Sequence, residues 1–406
     1  MEKISRVVQV EKDIKYATRF MRPILTSVGA WPIPDHCPLF SRIVQKITHA
    51  FTYFVFFLLL VPTLHYVIKK ETNNKIRLKL VAPIINCGLQ AIKYTIILYR
   101  MKEMQKGLDT IRQDWTNATE ENRLIFLGKA KIARRIMLAV TSTIYGAGIC
   151  YRIVLPLLRG TIVTPDNFTI RPLPCPVYFA YLDEQQTPIY EILFFLQIMG
   201  GFASYAVVSG SCGISAFLVL HACSMLRILG NKIKLLTDKG HMTEKEIRWK
   251  IANIVEFQME GKKFLKSIQE IIEFICLSEV LGCTCLICLV EYCILMEWEN
   301  KNTTSMVVYM TFTICFTFCA FVLCYIGQLL LDESNVVSQT SRTIDWHRLQ
   351  PKQARSLILI IAMSNYPLKL TGGKVVAMSL TTFTDVRRKK KYFTNIFYLL
   401  SQIILS

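Results

Sequence analysis

The sequence predicts an all-α polytopic membrane protein with seven transmembrane helices, a cytoplasmic N-terminus and an extracellular C-terminus. Three observations carry this. The 406 residues are 52% hydrophobic and only 19% charged, with a mean hydropathy of +0.36. The apolar residues fall in long runs rather than at helical or strand spacing, and about 20 in a row suffice to cross a bilayer. The connecting segments alternate in charge, and Lys and Arg near span ends stay on the cytoplasmic side.

Taken in order, the region from Lys3 to Lys46 is studded with charge and lacks the apolar centre of a cleavable signal. The first run, Ile47–Ile68, is therefore expected to act as an uncleaved anchor. Leu80–Tyr99 follows a short basic loop, Lys69–Arg77, which departs from the charge rule. Arg100–Arg135 is basic, and its Ile111, Trp115, Glu120 and Glu121 predict a helix continuing below the membrane. After the third run, Ile136–Leu158, the loop to Glu191 sets Arg159 and Arg171 against Asp166, Asp183, Glu184 and Glu191, so it faces out. Its five prolines, with Tyr178, Phe179 and Tyr181, exclude a helix and predict an ordered lid over the outer mouth. The fourth run, Ile189–His221, is too long for one perpendicular crossing, and Gly200-Gly201, Gly210 and Gly213 predict close approach of neighbouring helices. Arg227–Lys266 is basic again. Within it Ile247, Ile251, Ile254 and Phe257 recur as on an amphipathic helix that runs into the fifth run, Phe274–Met296. Met296–Ser305 sets Lys301 against Glu297 and Glu299 and faces out, ahead of the sixth run, Met306–Leu331. A weaker seventh covers about 371–400. This orientation is the reverse of a G-protein-coupled receptor.

Several functions are excluded. Most of the net charge of +19 lies in the cytoplasmic segments, so its partner is the inner leaflet lipid and not nucleic acid. Most of the 14 Cys sit inside the runs, and Cys283-Thr-Cys285 has neither a second pair nor a nearby His, so they read as packing residues rather than a metal site. There is no Gly-rich phosphate loop, no His-Glu-x-x-His and no Gly-x-Ser-x-Gly, hence no cofactor, no catalytic residues and no enzyme. Four ionisable residues lie within runs. Lys93, Arg152 and Glu291 either snorkel or face a cavity, and Glu279, near the inner end of its run, reads as part of a helix extension.

The last hundred residues carry a resemblance. Thr343-Ile344-Asp345-Trp346, Leu349-Gln350-Pro351-Lys352, the run Leu357–Met363, Tyr366-Pro367-Leu368, Thr371-Gly372-Gly373-Lys374 and Met378–Phe383 follow in this order. They resemble the C-terminal signature of insect odorant receptors, in the style of the hymenopteran (ant and bee) branch. Gly29-Ala30-Trp31-Pro32, Asp114-Trp115, and Arg171-Pro172-Leu173-Pro174 ahead of Pro188-Ile189-Tyr190 add to it, so the likeness extends from about Trp31 to Phe383. Two features depart from the family. Arg342 and His347 stand where aromatic residues are common, and after Val386 the chain reads Arg387-Arg388-Lys389-Lys390-Lys391 where an apolar helix is usual. The codons for Val386-Arg387 can read as a splice donor, so Arg387–Ser406 is expected to derive from read-through, and this exact chain to conduct poorly.

The resemblance implies an odorant receptor in the plasma membrane of an olfactory sensory neuron. It would bind a small volatile odorant and form, with an odorant co-receptor, a tetrameric ligand-gated non-selective cation channel. The pore would lie at the tetramer axis, lined by the last helix, with residues 332–366 as a cytoplasmic anchor. Family pockets lie in the outer half of the bilayer among the second, third, fourth and sixth helices. The corresponding candidates are Tyr145, Ile149 and Arg152, which share one face by i, i+4, i+7 spacing, Phe195 and Phe202, and Tyr309 and Phe312. Trp346, Leu349, Leu357 and Ile361 are the candidate subunit interface. Of the sequons at Asn117, Asn167 and Asn302, the charge map puts the last two outside, and Asn167 is expected to be glycosylated. A gustatory receptor of the same architecture, an unrelated polytopic transporter and a G-protein-coupled receptor with an outside N-terminus are the competing readings.

Overall fold

The computed structural model describes residues 2–34, 37–159, 162–163, 169–179, 183–236, 243–385 and 388. Helices α1 (Glu2–Thr18) and α2 (Met21–Ser27) precede the first long helix, α3 (Leu39–Lys69). The chain reverses between α2 and α3 at Gly29, whose φ of 71° favours a residue without Cβ. Side chains from two later turns hold this reversal. Gln45 Nε2 donates to the carbonyls of Gly29 (2.8 Å) and Trp31 (2.9 Å), and the Tyr94 hydroxyl donates to that of Val28 (2.7 Å). The Gly-Ala-Trp-Pro motif is thus a structural corner.

Helix α4 (Asn74–Tyr99) starts where the Asn73 side chain accepts from the Lys75 N–H. The amphipathic α5 (Met101–Asn117) buries Met104, Ile111 and Trp115. Trp115 Nε1 donates to His221 Nδ1 at 3.4 Å, and His221 Nε2 lies 2.9 Å from Asp114 Oδ2, which accounts for the Asp114-Trp115 pair. Helix α6 (Glu120–Ile149) passes through a π turn, Cys150–Val154, into α7 (Leu155–Arg159). Then come α8 (Ile189–Lys234), α9 (Glu244–Glu299) and α10 (Thr303–Arg342). A capping box of Thr243 and Glu246 opens α9, and the backbone N–H of Thr243 holds the Glu246 carboxyl below its usual value. A 3-10 turn, Trp346–Arg348, leads to α11 (Pro351–Ser364).

Among the described residues, six helical segments are long and apolar enough to cross a membrane: α3, α4, α6 with its continuation, α8, α9 and α10. They contain the six apolar runs. With 46 and 56 residues, α8 and α9 rise about 69 and 84 Å, more than twice the roughly 30 Å of hydrocarbon, so both continue well beyond it. The apolar stretch of α8 is 94% buried against 11% for that of α6, which puts α8 at the centre of the bundle. Its small residues make this possible; a Cβ on Gly210 would meet Leu25 of α2 at 2.4 Å. On the outside, Phe54, Phe57 and Ile68 of α3 are exposed, an apolar face that suits lipid.

Two short hairpins complete the chain. One joins β1 (Ile162–Val163) to β2 (Thr169–Ile170) in the connection between α7 and α8. The other occupies the start of the expected seventh span, where β3 (Thr371–Gly372) pairs with β4 (Val376–Ala377) before helical residues 380–385. The rest of that span and most of the cationic run lie outside the described residues. In the connection between α7 and α8, Cys175 is held by α8: the buried Gln197 side chain accepts from the Cys175 N–H (3.0 Å) and donates to the Cys175 carbonyl (2.9 Å). The Tyr178 N–H donates to the Pro62 carbonyl at 3.3 Å. The Tyr190 hydroxyl donates to that of Pro172 at 3.1 Å, with the Arg171 guanidinium 4.2 Å above the Tyr190 ring. Residues 171–179 are therefore tied to both α3 and α8.

Candidate ligand site

Residues recurring on one face of each of five helices converge on a cavity of about 60 Å³. On α4 these are Asn86, Gln90 and Lys93, at i, i+4 and i+7; on α9 they are Glu279, Gly282, Cys283 and Leu286. Ile144 from α6, Tyr205 and Val208 from α8, and Phe312 and Phe316 from α10 close the apolar side. The polar side is built around an ion pair between Lys93 and Glu279, whose side chains are each about 3% exposed. Cys283 Sγ donates to Glu279 Oε1 at 3.3 Å. Gln90 Nε2 donates to Asn86 Oδ1 at 3.1 Å, while Gln90 Oε1 is buried without a hydrogen-bond partner among the described residues. Among those residues no cluster of His, Cys, Asp or Glu is placed to hold a metal ion.

The candidate residues fall into three groups. Tyr145, Arg152 and Phe202 meet the cavity through Tyr205. The Tyr145 ring lies 5.6 Å from that of Tyr205 and 5.9 Å from that of Phe202. Arg152 Nε donates to the Tyr205 hydroxyl at 3.1 Å, and its Nη1 donates to the Gln197 carbonyl at 3.1 Å. Two glycines make room for them. A Cβ on Gly148 would stand 2.1 Å from the Tyr205 ring, and one on Gly201 would stand 2.5 Å from Arg152 Cδ. Phe312 lines the cavity directly and stacks on Phe316 at 6.1 Å, and Tyr309 packs beside them with Leu286, Leu289 and Val290. Ile149 and Phe195, 38% and 60% exposed, face outward. Ile149 is the last residue of α6 before the π turn, and of the set Tyr145, Ile149 and Arg152 only the first and last reach Tyr205.

Gln90, Tyr205, Phe316 and the pairing of Lys93 with Glu279 were not among the candidates. Lys93 and Glu279 carried a signal as ionisable residues inside apolar runs, and Gln90, three residues before Lys93, shares its face. Away from the cavity, Trp346 is 64% exposed, while Leu349 and Ile361 are half-buried against the core. Leu357 is buried to 1% exposure within its own chain, and its neighbour Ile358 lies with Trp346 in a surface groove. Asn117 is exposed at the end of α5, Asn302 caps α10 by accepting from the Ser305 N–H, and Asn167 lies outside the described residues.

The sequence model of the 7tm odorant receptor family matches residues 73–389, a stretch holding every wall of this cavity. The chain belongs to the insect odorant receptor family. The receptor is 21% identical to odorant receptor 10 of Aedes albopictus over 279 residues, covering 68% of this chain and 71% of that one. It is 22% identical to odorant receptor 82a of Drosophila melanogaster over 297 residues, 72% and 73% of the two chains. Its fold is that of the olfactory receptor OR5 from Machilis hrabei solved in complex with eugenol, with a TM-score of 0.77 over 97% of this chain and 99% of that one, at 10% identity. The receptor is thus a multi-pass membrane protein of olfaction, not an enzyme.

Proposed function

We propose that the receptor is the odorant-binding subunit of a ligand-gated, non-selective cation channel that opens as a tetramer with a co-receptor in the olfactory neuron's plasma membrane. The cavity among α4, α6, α8, α9 and α10 carries this reading: it joins an apolar wall to a few fixed polar groups, as a small volatile ligand requires. That a receptor of the same fold was solved with eugenol adds support. In this proposal Phe312 touches the ligand, Tyr309 packs behind that wall, and Tyr145, Arg152 and Phe202 act on it through Tyr205. Ile149 and Phe195 face away from it. Co-expression with an insect co-receptor and a screen of an odour panel for inward current tests the proposal. Receptor that reaches the surface yet gives neither a current nor a shift in melting temperature with any odorant would overturn it.

Three finer assignments belong to the same proposal. The order of the C-terminal motifs favours a hymenopteran receptor. The charge pattern favours seven spans with the N-terminus inside and the C-terminus outside. Asn167 is then expected to carry a glycan and Asn117 none; a glycan on Asn117, read as an endoglycosidase-sensitive mass shift, would reverse the orientation. The exposed Trp346, in its groove within the 332–366 anchor, supports a subunit contact there, with Leu349 and Ile361 at its margin and Leu357 supporting it from within the chain. Buried interface tryptophans commonly account for about 2 kcal/mol or more of binding, so Trp346→Ala is expected to lower co-precipitation with the co-receptor about tenfold. Undiminished co-precipitation would remove Trp346 from the interface.

A further inference from the structure

We propose that the cavity selects odorants bearing a hydroxyl group, with Gln90 and Lys93 as the residues that read it. The inference rests on the odorant-gated reading above and concerns what that site prefers. Two unmet hydrogen-bonding capacities belong to residues that line one cavity. Gln90 Oε1 is a buried acceptor without a donor among the described residues. The Lys93 ammonium has three N–H groups and, among the described residues, donates to Glu279 alone. The two side chains stand three residues apart on one face of α4, so one small group can reach both.

The chemistry of that group emerges from comparing what each class offers. A hydrocarbon meets neither residue. An ether, ester or ketone accepts from Lys93 and leaves Gln90 Oε1 unmet. A carboxylate meets Lys93 but brings a second negative charge beside Glu279, and an ammonium brings a second positive charge beside Lys93. A hydroxyl donates to Gln90 Oε1 and accepts from Lys93 Nζ at once. The remaining carbon skeleton then lies against Ile144, Val208, Leu286 and Phe312. A buried site built to bond a hydroxyl discriminates against analogues that lack it, because its own polar groups are otherwise left unpaired.

The test uses the full-length receptor co-expressed with co-receptor and a panel of matched compounds: alcohol, methyl ether, ketone and hydrocarbon on linear, branched and aromatic skeletons. On skeletons that evoke current, the alcohol is expected to be at least about tenfold more potent than its ether or ketone. Gln90→Leu, which removes an unmet polar atom, is expected to reach the surface normally and to bring the alcohol-to-ketone ratio close to one. Gln90→Met should do the same. Ethers or ketones equal to their alcohols in the unmodified receptor would overturn the proposal, as would an unchanged ratio in both variants. If no compound evokes current or shifts the melting temperature of the purified complex, the odorant-gated reading itself falls. Current without preference for alcohols removes the hydroxyl proposal alone.

Discussion

Lys93→Met, with Glu279 left in place, is expected to remove most of the receptor from the cell surface. Both side chains are almost wholly buried, and each supplies the other's compensating charge. Breaking such a pair by removing one partner costs about 3–5 kcal/mol, because the remaining charge stays in a medium that cannot solvate it. Folded proteins typically hold only about 5–15 kcal/mol in total. A tenfold or larger fall in surface-biotinylated receptor is therefore expected. Removing both charges together is often neutral, so Lys93→Met combined with Glu279→Leu should restore most of the surface signal. The single and double variants compared in one labelling experiment isolate the pair. Equal surface levels for Lys93→Met and the unmodified receptor would mean that Glu279 finds another partner or is not charged.

Gly327→Ala is expected to disable the receptor by a different route. A Cβ at this position of α10 would stand 2.2 Å from the carbonyl oxygen of Met378 and 2.9 Å from its carbonyl carbon. The obstacle is backbone, and it is held in place. The Met378 N–H donates to the Leu370 carbonyl at 2.8 Å, and the Leu380 N–H donates to Gln328 Oε1 at 3.3 Å. Overpacking of this kind costs about 1–3 kcal/mol and moves backbone. The segment displaced is the one that leads into the last helix. Odour-evoked current is expected to fall below a tenth of normal, with a smaller loss of surface protein. Normal current density would show that residues 370–385 can lift away from α10 without consequence.

The features legible in the sequence were those written locally. The six long apolar runs were readable because a run of that length has few alternatives in water. The merger of the cytoplasmic helix with the fifth run was readable because Ile247, Ile251, Ile254 and Phe257 keep helical spacing toward Phe274, and α9 is indeed unbroken from Glu244 to Glu299. The Lys93–Glu279 pair was not readable as a pair, since 186 residues separate its members and only the bundle brings them together. The apolar run Leu357–Ile361 looked uniform, yet α11 turns Leu357 and Ile360 into the core and Ile358 and Leu359 out. Helix begins later than the run because Gly373 and Lys374, at φ 57° and 60°, turn a short hairpin first.

Helix α9 carries both the ion pair and the anchorage of the terminal segment, and they are close together on it. The Glu273 carbonyl accepts from the Gly373 N–H at 3.1 Å, and the Gln269 side chain donates to Thr371 Oγ1 at 2.5 Å. Gly372 lies so near the backbone of Leu277 that a Cβ on it would stand 3.1 Å from the Leu277 nitrogen. From Glu273 to Glu279 is six residues, about 9 Å of rise and less than two turns. The helix is in this respect a shaft with two collars fitted almost side by side, one gripping the wall of the cavity and the other the root of the last helix. A roll or slide of a straight shaft is the same at both collars, so between them no chain of side chains has to relay it.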